Sequence, residues 1–308
     1  MADTDLAHVS PCPAPDARPR PPRLAPPRGA CDCHAHICGP AARYPYAADR
    51  IYTPPDATIE AYQALLARLA IERAVLVQPS VYGQDNRAML AALAAGGRGF
   101  RGIAVVPPTI SRRELEALDR AGVRGVRLNL VDRRDNRNSV PIARVRALAD
   151  QIALLRWHLE FLVNLDEAPD FADAFADLPV PIVLGHLGYP RAGARAFLAS
   201  PAFASLTRLL DRGRCWIKLT GPYRISCATD LPYEDVDPLA TALIERTPER
   251  LLWGSDWPHV MMNKPMPNDG PLLDLLSRWA PNTAVRRRIL VDNPEALYGF
   301  GEDDRIAR

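Results

Sequence analysis

Eight short apolar runs, each followed by an amphipathic segment, set the first constraint on what this chain can fold into. The runs are Ala30–His34, Ala74–Gln78, Gly102–Val106, Gly125–Asn129, Leu159–Asn164, Ile182–His186, Trp216–Thr220 and Leu251–Ser255. They are near-continuously apolar and rich in β-branched residues, the composition of parallel strands covered on both faces. The segments between them are Ile59–Ala70, Arg87–Ala95, Arg113–Ala121, Ile142–Leu155, Phe171–Ala176, Phe203–Arg212, Pro238–Arg246 and Leu272–Trp279. Several follow an Asp, Ser or Thr able to cap a helix. Eight strand–helix units predict an α/β fold, a closed (β/α)8 TIM barrel forming one domain over residues 30–308. Ala284–Val291 and Pro294–Tyr298 are expected to add a C-terminal helical extension.

A chain of 308 residues is long for one ordinary domain but usual for such a barrel. The formal charge of +2 comes from intermixed signs, and no basic tract calls for nucleic acid or a membrane surface. No stretch approaches the roughly 20 apolar residues that span a bilayer, and the N-terminus lacks a signal peptide's apolar region. A cytoplasmic location is therefore expected, and Cys12, Cys31, Cys33, Cys38, Cys215 and Cys227 are expected to be free thiols. Residues 11–29 are too rich in Pro and Arg for a helix or a paired strand. Residues 1–29 thus read as an extended tail, one that wraps the folded body or a leader without a role.

In such a barrel the catalytic groups gather at the C-terminal ends of the strands. Strand one ends in Asp32, His34 and His36, strand two in Gln78 and Ser80, and strand four in Arg127 and Asn129. Strand six ends in His186, strand seven in Lys218 and Thr220, and strand eight in Asp256. Strict alternation along strand one would place Asp32, His34 and His36 on one face and Cys31 and Cys33 on the other. With the histidines turned into the barrel, the cysteines would face the helices. No second CxxC or HxxxH half completes a zinc–thiolate site, so these cysteines are expected to be buried and inert. A lone HxH pair is a weak signal, since strand histidines can be satisfied core residues. Here it is joined by His186 in VLGHLG and Asp256 in WGSDWPH, four ligand-type or base-type groups at one barrel mouth.

The motifs DCHAH, GHLG and WGSDWPH resemble the amidohydrolase superfamily, in its amidohydrolase-2 branch. More narrowly, DCHAHICGPAARYPY, RIYTP, QDNRAML, GVRGVRLNLV, WGSDWPH and VDNPEALYGF resemble the lactonase family that opens 2-pyrone-4,6-dicarboxylate, from about Cys31 to Phe300. The resemblance implies a hydrolase acting on a small acidic lactone in aromatic-compound catabolism. It implies Asp256 as the general base for water, with His34, His36 and His186 stabilising developing charge. It implies Arg127, Arg133 and Arg224 as carboxylate-binding arginines, a role that suits their planar fork. Tyr52, Ser80, Tyr82 and His259 are its further substrate contacts. No cofactor is expected. The wider superfamily often holds one or two divalent metals, but strand five ends in no histidine and strand four carries Arg127 and Asn129 in place of a bridging lysine. Those departures argue against a binuclear centre. A single divalent metal such as zinc, held by His34, His36, His186 and Asp256, is the alternative. Leu162 stands where the family has an aromatic hydroxyl, and Tyr82 where it tends to have a histidine, so a different lactone ring would account for both. The competing readings are a sulfomuconolactone hydrolase, a sugar-acid lactone isomerase, a metal-dependent decarboxylase and a non-catalytic barrel that only binds its ligand.

Overall fold

The computed structural model describes residue 9, residues 11–132 and residues 141–300; Arg133 lies outside the described residues. Eight strands form one sheet in sequential order: β1 Cys31–Ala35, β2 Arg73–Val77, β3 Phe100–Ala104, β4 Val123–Asn129, β5 His158–Leu162, β6 Ile182–Leu184, β7 Cys215–Leu219 and β8 Leu251–Trp253. Each pair from β1–β2 to β7–β8 is parallel. The ring closes where the chain leaving β8 meets β1: Asp256 N donates to His34 O and His36 N donates to Trp257 O, both at 2.8 Å. The expected (β/α)8 barrel is the fold observed.

The helices are α1 Ile59–Leu69, α2 Arg87–Gly96, α3 Arg112–Arg120, α4 Ile142–Ala153, α5 Phe171–Phe175, α6 Ala194–Leu198, α7 Pro201–Asp211, α8 Asp237–Arg246 and α9 Asp269–Trp279. The short α6 was not among the expected elements. Local chemistry starts α1 and α3: Thr58 caps the first, and Ser111 with Glu114 forms a reciprocal capping box on the second. At the C-terminus α10 Thr283–Arg287 runs through a π-helical turn into α11 Asn293–Tyr298. Tyr298, fully buried, packs with Cys31, Cys33, Val75, Val77, Ile103, Val183, Trp216 and Leu252. These residues come from six strands and fill the barrel's interior, so the C-terminal extension plugs the end opposite the catalytic mouth.

That interior cluster corrects the expected facing of β1. Cys31 and Cys33 point into the barrel. Asp32 points toward the helix layer, where its carboxylate accepts from Tyr62 Oη on α1 at 2.9 Å and from Ser255 Oγ at 2.5 Å. The physical reason is a register shift: Asp32 pairs with Ala74 but Ala35 with Leu76, so three steps on β1 answer two on β2. An extra residue of this kind breaks the alternation and re-aims the side chains beyond it. His34 consequently reaches the barrel interior although Cys33 also does.

The described part of the tail, residues 11–29, runs along the barrel. Cys12 N donates to Thr53 O, Arg20 N to Asn268 Oδ1, and the backbone amides of Arg23 and Leu24 both donate to Asp274 Oδ1. All six cysteines are free, four of them buried. Among the described residues no helix is long and apolar enough to cross a membrane.

Candidate active site

Asp256 follows β8 with a left-handed backbone, φ 66°. A non-glycine residue rarely adopts this conformation, and it persists where the surroundings over-determine it. Its Oδ2 accepts from Tyr223 Oη and from Arg224 Nε, each at 2.7 Å. Room for that oxygen is made by Gly221, φ 55°, where a Cβ would stand 3.0 Å from Oδ2 and 2.9 Å from His186 Nδ1. Burial, the largest single cause, raises the Asp256 carboxyl; the Arg224 guanidinium together with His186, His34 and His36 outweighs it and holds the group well below the ordinary carboxylate range.

The other oxygen, Oδ1, lies 3.7 Å from His34 Nε2 and 3.9 Å from His36 Nε2. Both Oδ1 and His34 Nε2 are buried, and among the described residues neither has a hydrogen-bond partner. Orphaned buried polar atoms are costly, so two that face one another mark where a reacting oxygen belongs.

The partner of one imidazole fixes its proton. His36 Nδ1 lies 2.7 Å from Val77 O, and a carbonyl only accepts, so Nδ1 carries the hydrogen and Nε2 is a bare lone pair. Thr220 Oγ1 accepts from His186 N at 3.2 Å and stands 2.9 Å from His186 Nδ1, a hydroxyl able to donate to that nitrogen or to accept from it. Lys218 Nζ stands 3.3 Å from His34 Nδ1. An ammonium has no lone pair to offer, so toward Lys218 this nitrogen accepts, whereas Glu160 Oε1, also 3.3 Å away, takes a hydrogen from it in the other tautomer. Lys218, fully buried, is itself held by Glu160 Oε2 at 2.6 Å. All three imidazoles are kept neutral by burial first: His34 is pushed well down, with Lys218 as a second cause, His36 to about 3 and His186 to about 4.

Beside these groups lies a partly open cavity of about 100 Å³, with His34 behind its wall and not on it. His36, His186 and Asp256 line it, as do Arg127, Arg224 and Tyr52. Arg127 is partly engaged, donating from Nη1 to Gln78 O at 2.6 Å. Asp132, Leu162, Tyr189, Val260 and Met261 complete the wall.

The expected substrate contacts divide accordingly. Arg127, Arg224 and Tyr52 are at the cavity. Ser80 lies behind Tyr52, with Oγ 3.5 Å from its hydroxyl. Tyr82 is off the cavity wall: its hydroxyl accepts from Gly39 N at 2.7 Å and its ring packs on Tyr46. His259 is also off the wall, fully buried between Tyr223 and Asp269. Of the four expected metal ligands, His34, His36 and Asp256 bring ligand atoms within 4.8 Å of one another, whereas His186 is not in that group. Sequence reasoning noted Lys218 without giving it a role, and passed over Glu160, Tyr223 and Asp269. For Glu160 and Lys218 a signal existed, a charge inside an otherwise apolar strand. Asp269 has no local signal, being brought to the site only by the packing of α9.

The chain is similar to known proteins over nearly its whole length. The amidohydrolase family matches residues 31–300. A 4-sulfomuconolactone hydrolase from Rhizobium radiobacter is 41% identical over 97% of this chain and 99% of its own length. The 2-pyrone-4,6-dicarboxylate hydrolase of Comamonas testosteroni is 37% identical over 92% of this chain and 94% of its own. A crystal structure from Pseudomonas putida, put forward as a 2-pyrone-4,6-dicarboxylic acid hydrolase, superposes with a TM-score of 0.78. It is 32% identical, covering 88% of this chain and 98% of that one. The chain belongs to the amidohydrolase family.

Proposed function

We propose that this enzyme hydrolyses a small lactone bearing carboxylate or similarly anionic groups, in the breakdown of aromatic compounds, and that it works in the cytoplasm without a metal. The observation that carries the reading is the pair of unpartnered atoms, Asp256 Oδ1 and His34 Nε2, facing one another beside a cavity walled by two arginines. A water bridging the pair from the cavity side gives one proton to Oδ1 and lends a second hydrogen bond to the bare His36 Nε2. The resulting hydroxide oxygen bonds to the lactone carbonyl carbon. His34 and His186, each in the tautomer with its hydrogen on Nε2, are the donors for the oxyanion. When the ring C–O bond breaks, the oxyanion re-forms the carbonyl, the proton on Asp256 passes to the leaving oxygen, and the new carboxylic acid releases its remaining proton to solvent as it becomes a carboxylate. Arg127 and Arg224 hold the substrate's anionic groups. The names of the two curated relatives, a sulfo-substituted lactone and a pyrone dicarboxylate, support an acidic ring substrate.

The metal-free part rests on His34. A ligating imidazole offers a lone pair from one ring nitrogen and donates from the other. Lys218 Nζ and Glu160 Oε1 both stand 3.3 Å from His34 Nδ1, and the ammonium sets a positive charge against that imidazole that opposes a metal cation. The test measures acid release from a panel of acidic lactones, with and without chelator, for the wild type and Asp256→Asn. Expected are turnover of at least one acidic lactone, no loss on chelation, and an Asn variant below a tenth of the wild-type rate. A wild type inert on the whole panel, or an Asn variant above that tenth, overturns the hydrolase reading. Activity lost on chelation and restored by zinc overturns the metal-free one.

A further inference from the structure

We propose that Tyr223, His259 and Asp269 are positioning residues that fix which oxygen of Asp256 serves as the base, an assignment that rests on the lactonase reading above. The three form one buried line behind the carboxylate. Tyr223 Oη lies 2.7 Å from Asp256 Oδ2 and 2.9 Å from His259 Nδ1, and His259 Nε2 lies 3.0 Å from Asp269 Oδ1. Relative exposure is 3% or less at every member, and none of the three lines the substrate cavity. They come from three places in the chain. Tyr223 sits in the turn after β7, His259 three residues past the base, and Asp269 opens α9.

The direction of donation follows from the acceptor end. A carboxylate only accepts, so the Tyr223 hydroxyl spends its proton on Asp256 Oδ2. Its oxygen then receives from His259 Nδ1, and Asp269 Oδ1 accepts from His259 Nε2, so in this line both ring nitrogens of His259 carry a hydrogen. A carboxylate is free to rotate about its last torsion and exchange its oxygens unless one is pinned. Two donors pin Oδ2, Tyr223 and Arg224. Arg224 is on the cavity wall and is drawn toward an anionic substrate. Tyr223 is not, and it remains the donor when Arg224 turns away. Keeping Oδ2 occupied leaves Oδ1 as the oxygen aimed at the histidines. The line also accounts for His259, whose place leaves it no contact with a substrate.

The test compares Tyr223→Phe, Asp269→Asn and the double variant on an acidic lactone, with crystal structures of the two single variants. Each change is nearly isosteric; Asp269→Asn is remote from the reacting atoms and carries the test should the Phe variant fail to fold. Expected is a fall in kcat of about 10- to 100-fold for Tyr223→Phe, the scale of one charge-assisted hydrogen bond, with KM within about threefold. Asp269→Asn should lower kcat by about 3- to 10-fold, and the double variant should be no worse than Tyr223→Phe, because residues acting in one line are not additive. The structures should show the Asp256 carboxylate rotated or split between two orientations. Unchanged kcat, a rise in KM alone, or strictly additive losses would overturn the assignment. An unmoved Asp256 in both crystal structures overturns it whatever the reaction is, whereas a wild type that opens no acidic lactone overturns only the lactonase reading.

Discussion

Lys218 decides what His34 can do. It is the fully buried cation of the site, and its partners are Glu160 and the imidazole of His34. Replacing it with Met removes the donor at His34 Nδ1, and Glu160 Oε1, already 3.3 Å away, is then free to accept from that nitrogen. A carboxylate behind a histidine is the arrangement that prepares imidazole for a metal. Lys218→Met is therefore expected to lose lactone turnover by at least about tenfold and to gain zinc affinity by about tenfold or more. Zinc content after dialysis, read beside kcat, checks both; unchanged zinc content would mean that Lys218 does not steer His34. The arginines separate in a different way. Arg127→Met should cost about 10- to 100-fold in kcat/KM on an acidic lactone and less on its mono-ester, because the substrate contact is lost along with the bond to Gln78 O. Arg224→Met should cost on both substrates, since Arg224 also holds Asp256 Oδ2. Equal losses from Arg127→Met on acid and ester would return Arg127 to a structural role.

At the scale of elements, the strands were legible because buried parallel strands write themselves as apolar runs, and every one begins within two residues of its expected start. The facing of β1 was not legible. Alternation in sequence assumes an unbroken ladder, and the bulge between Asp32 and Ala35 is set by pairing with β2, about 40 residues away. The four residues of the mouth were readable because each ends a strand. Tyr223, His259 and Asp269 were not readable as one unit, since they meet only through the packing of a turn against α9. Tail and plug show the same contrast. Composition excluded regular structure from residues 11–29 but not their course along the barrel. The C-terminal extension was expected as a cover, and the structure shows what it covers. Tyr298 from α11 fills the closed end of the barrel and meets His158 edge to face at 5.4 Å. Tyr298→Ala should destabilise the fold by about 3–5 kcal/mol, the cost of emptying a buried aromatic site. It should leave kcat within about twofold, because stability and chemistry occupy opposite ends of the barrel. Denaturant unfolding alongside steady-state rates measures the two; a loss under about 1 kcal/mol would mean that the plug is not part of the core.

The whole molecule carries its buried histidines as a liability toward acid. Burial holds His34 well below its ordinary value, with His36 at about 3 and both His158 and His186 at about 4. In the unfolded chain each of the four takes up a proton as pH falls through about 6.5. In the folded chain they stay neutral until near pH 4. Between those limits the unfolded state binds more protons, so stability falls as pH falls. Asp32 works in the opposite sense. Burial lifts it to about 6 against the donors Ser255, His34 N and Tyr62, so the folded chain keeps a proton there that the unfolded chain releases above about pH 4. The loss from four histidines is offset by one aspartate, leaving a difference of about three protons near pH 5, or ~4 kcal/mol per pH unit. The Asp256–Arg224 pair adds its stability above the unfolded carboxylate value and gives it up only below this window. Thermal or denaturant unfolding at pH 7, 6 and 5 should show a loss of roughly 2 kcal/mol over the first step and a steeper one, roughly 4 kcal/mol, over the second. Because Asp256 stays ionised and the three mouth histidines stay neutral throughout, kcat/KM should hold steady on acidification until the fold itself gives way. A bell-shaped profile with an acid limb near pH 6.5 in a still-folded enzyme would mean that one of these histidines titrates in the open, and with it the tautomers that arm the site would be lost.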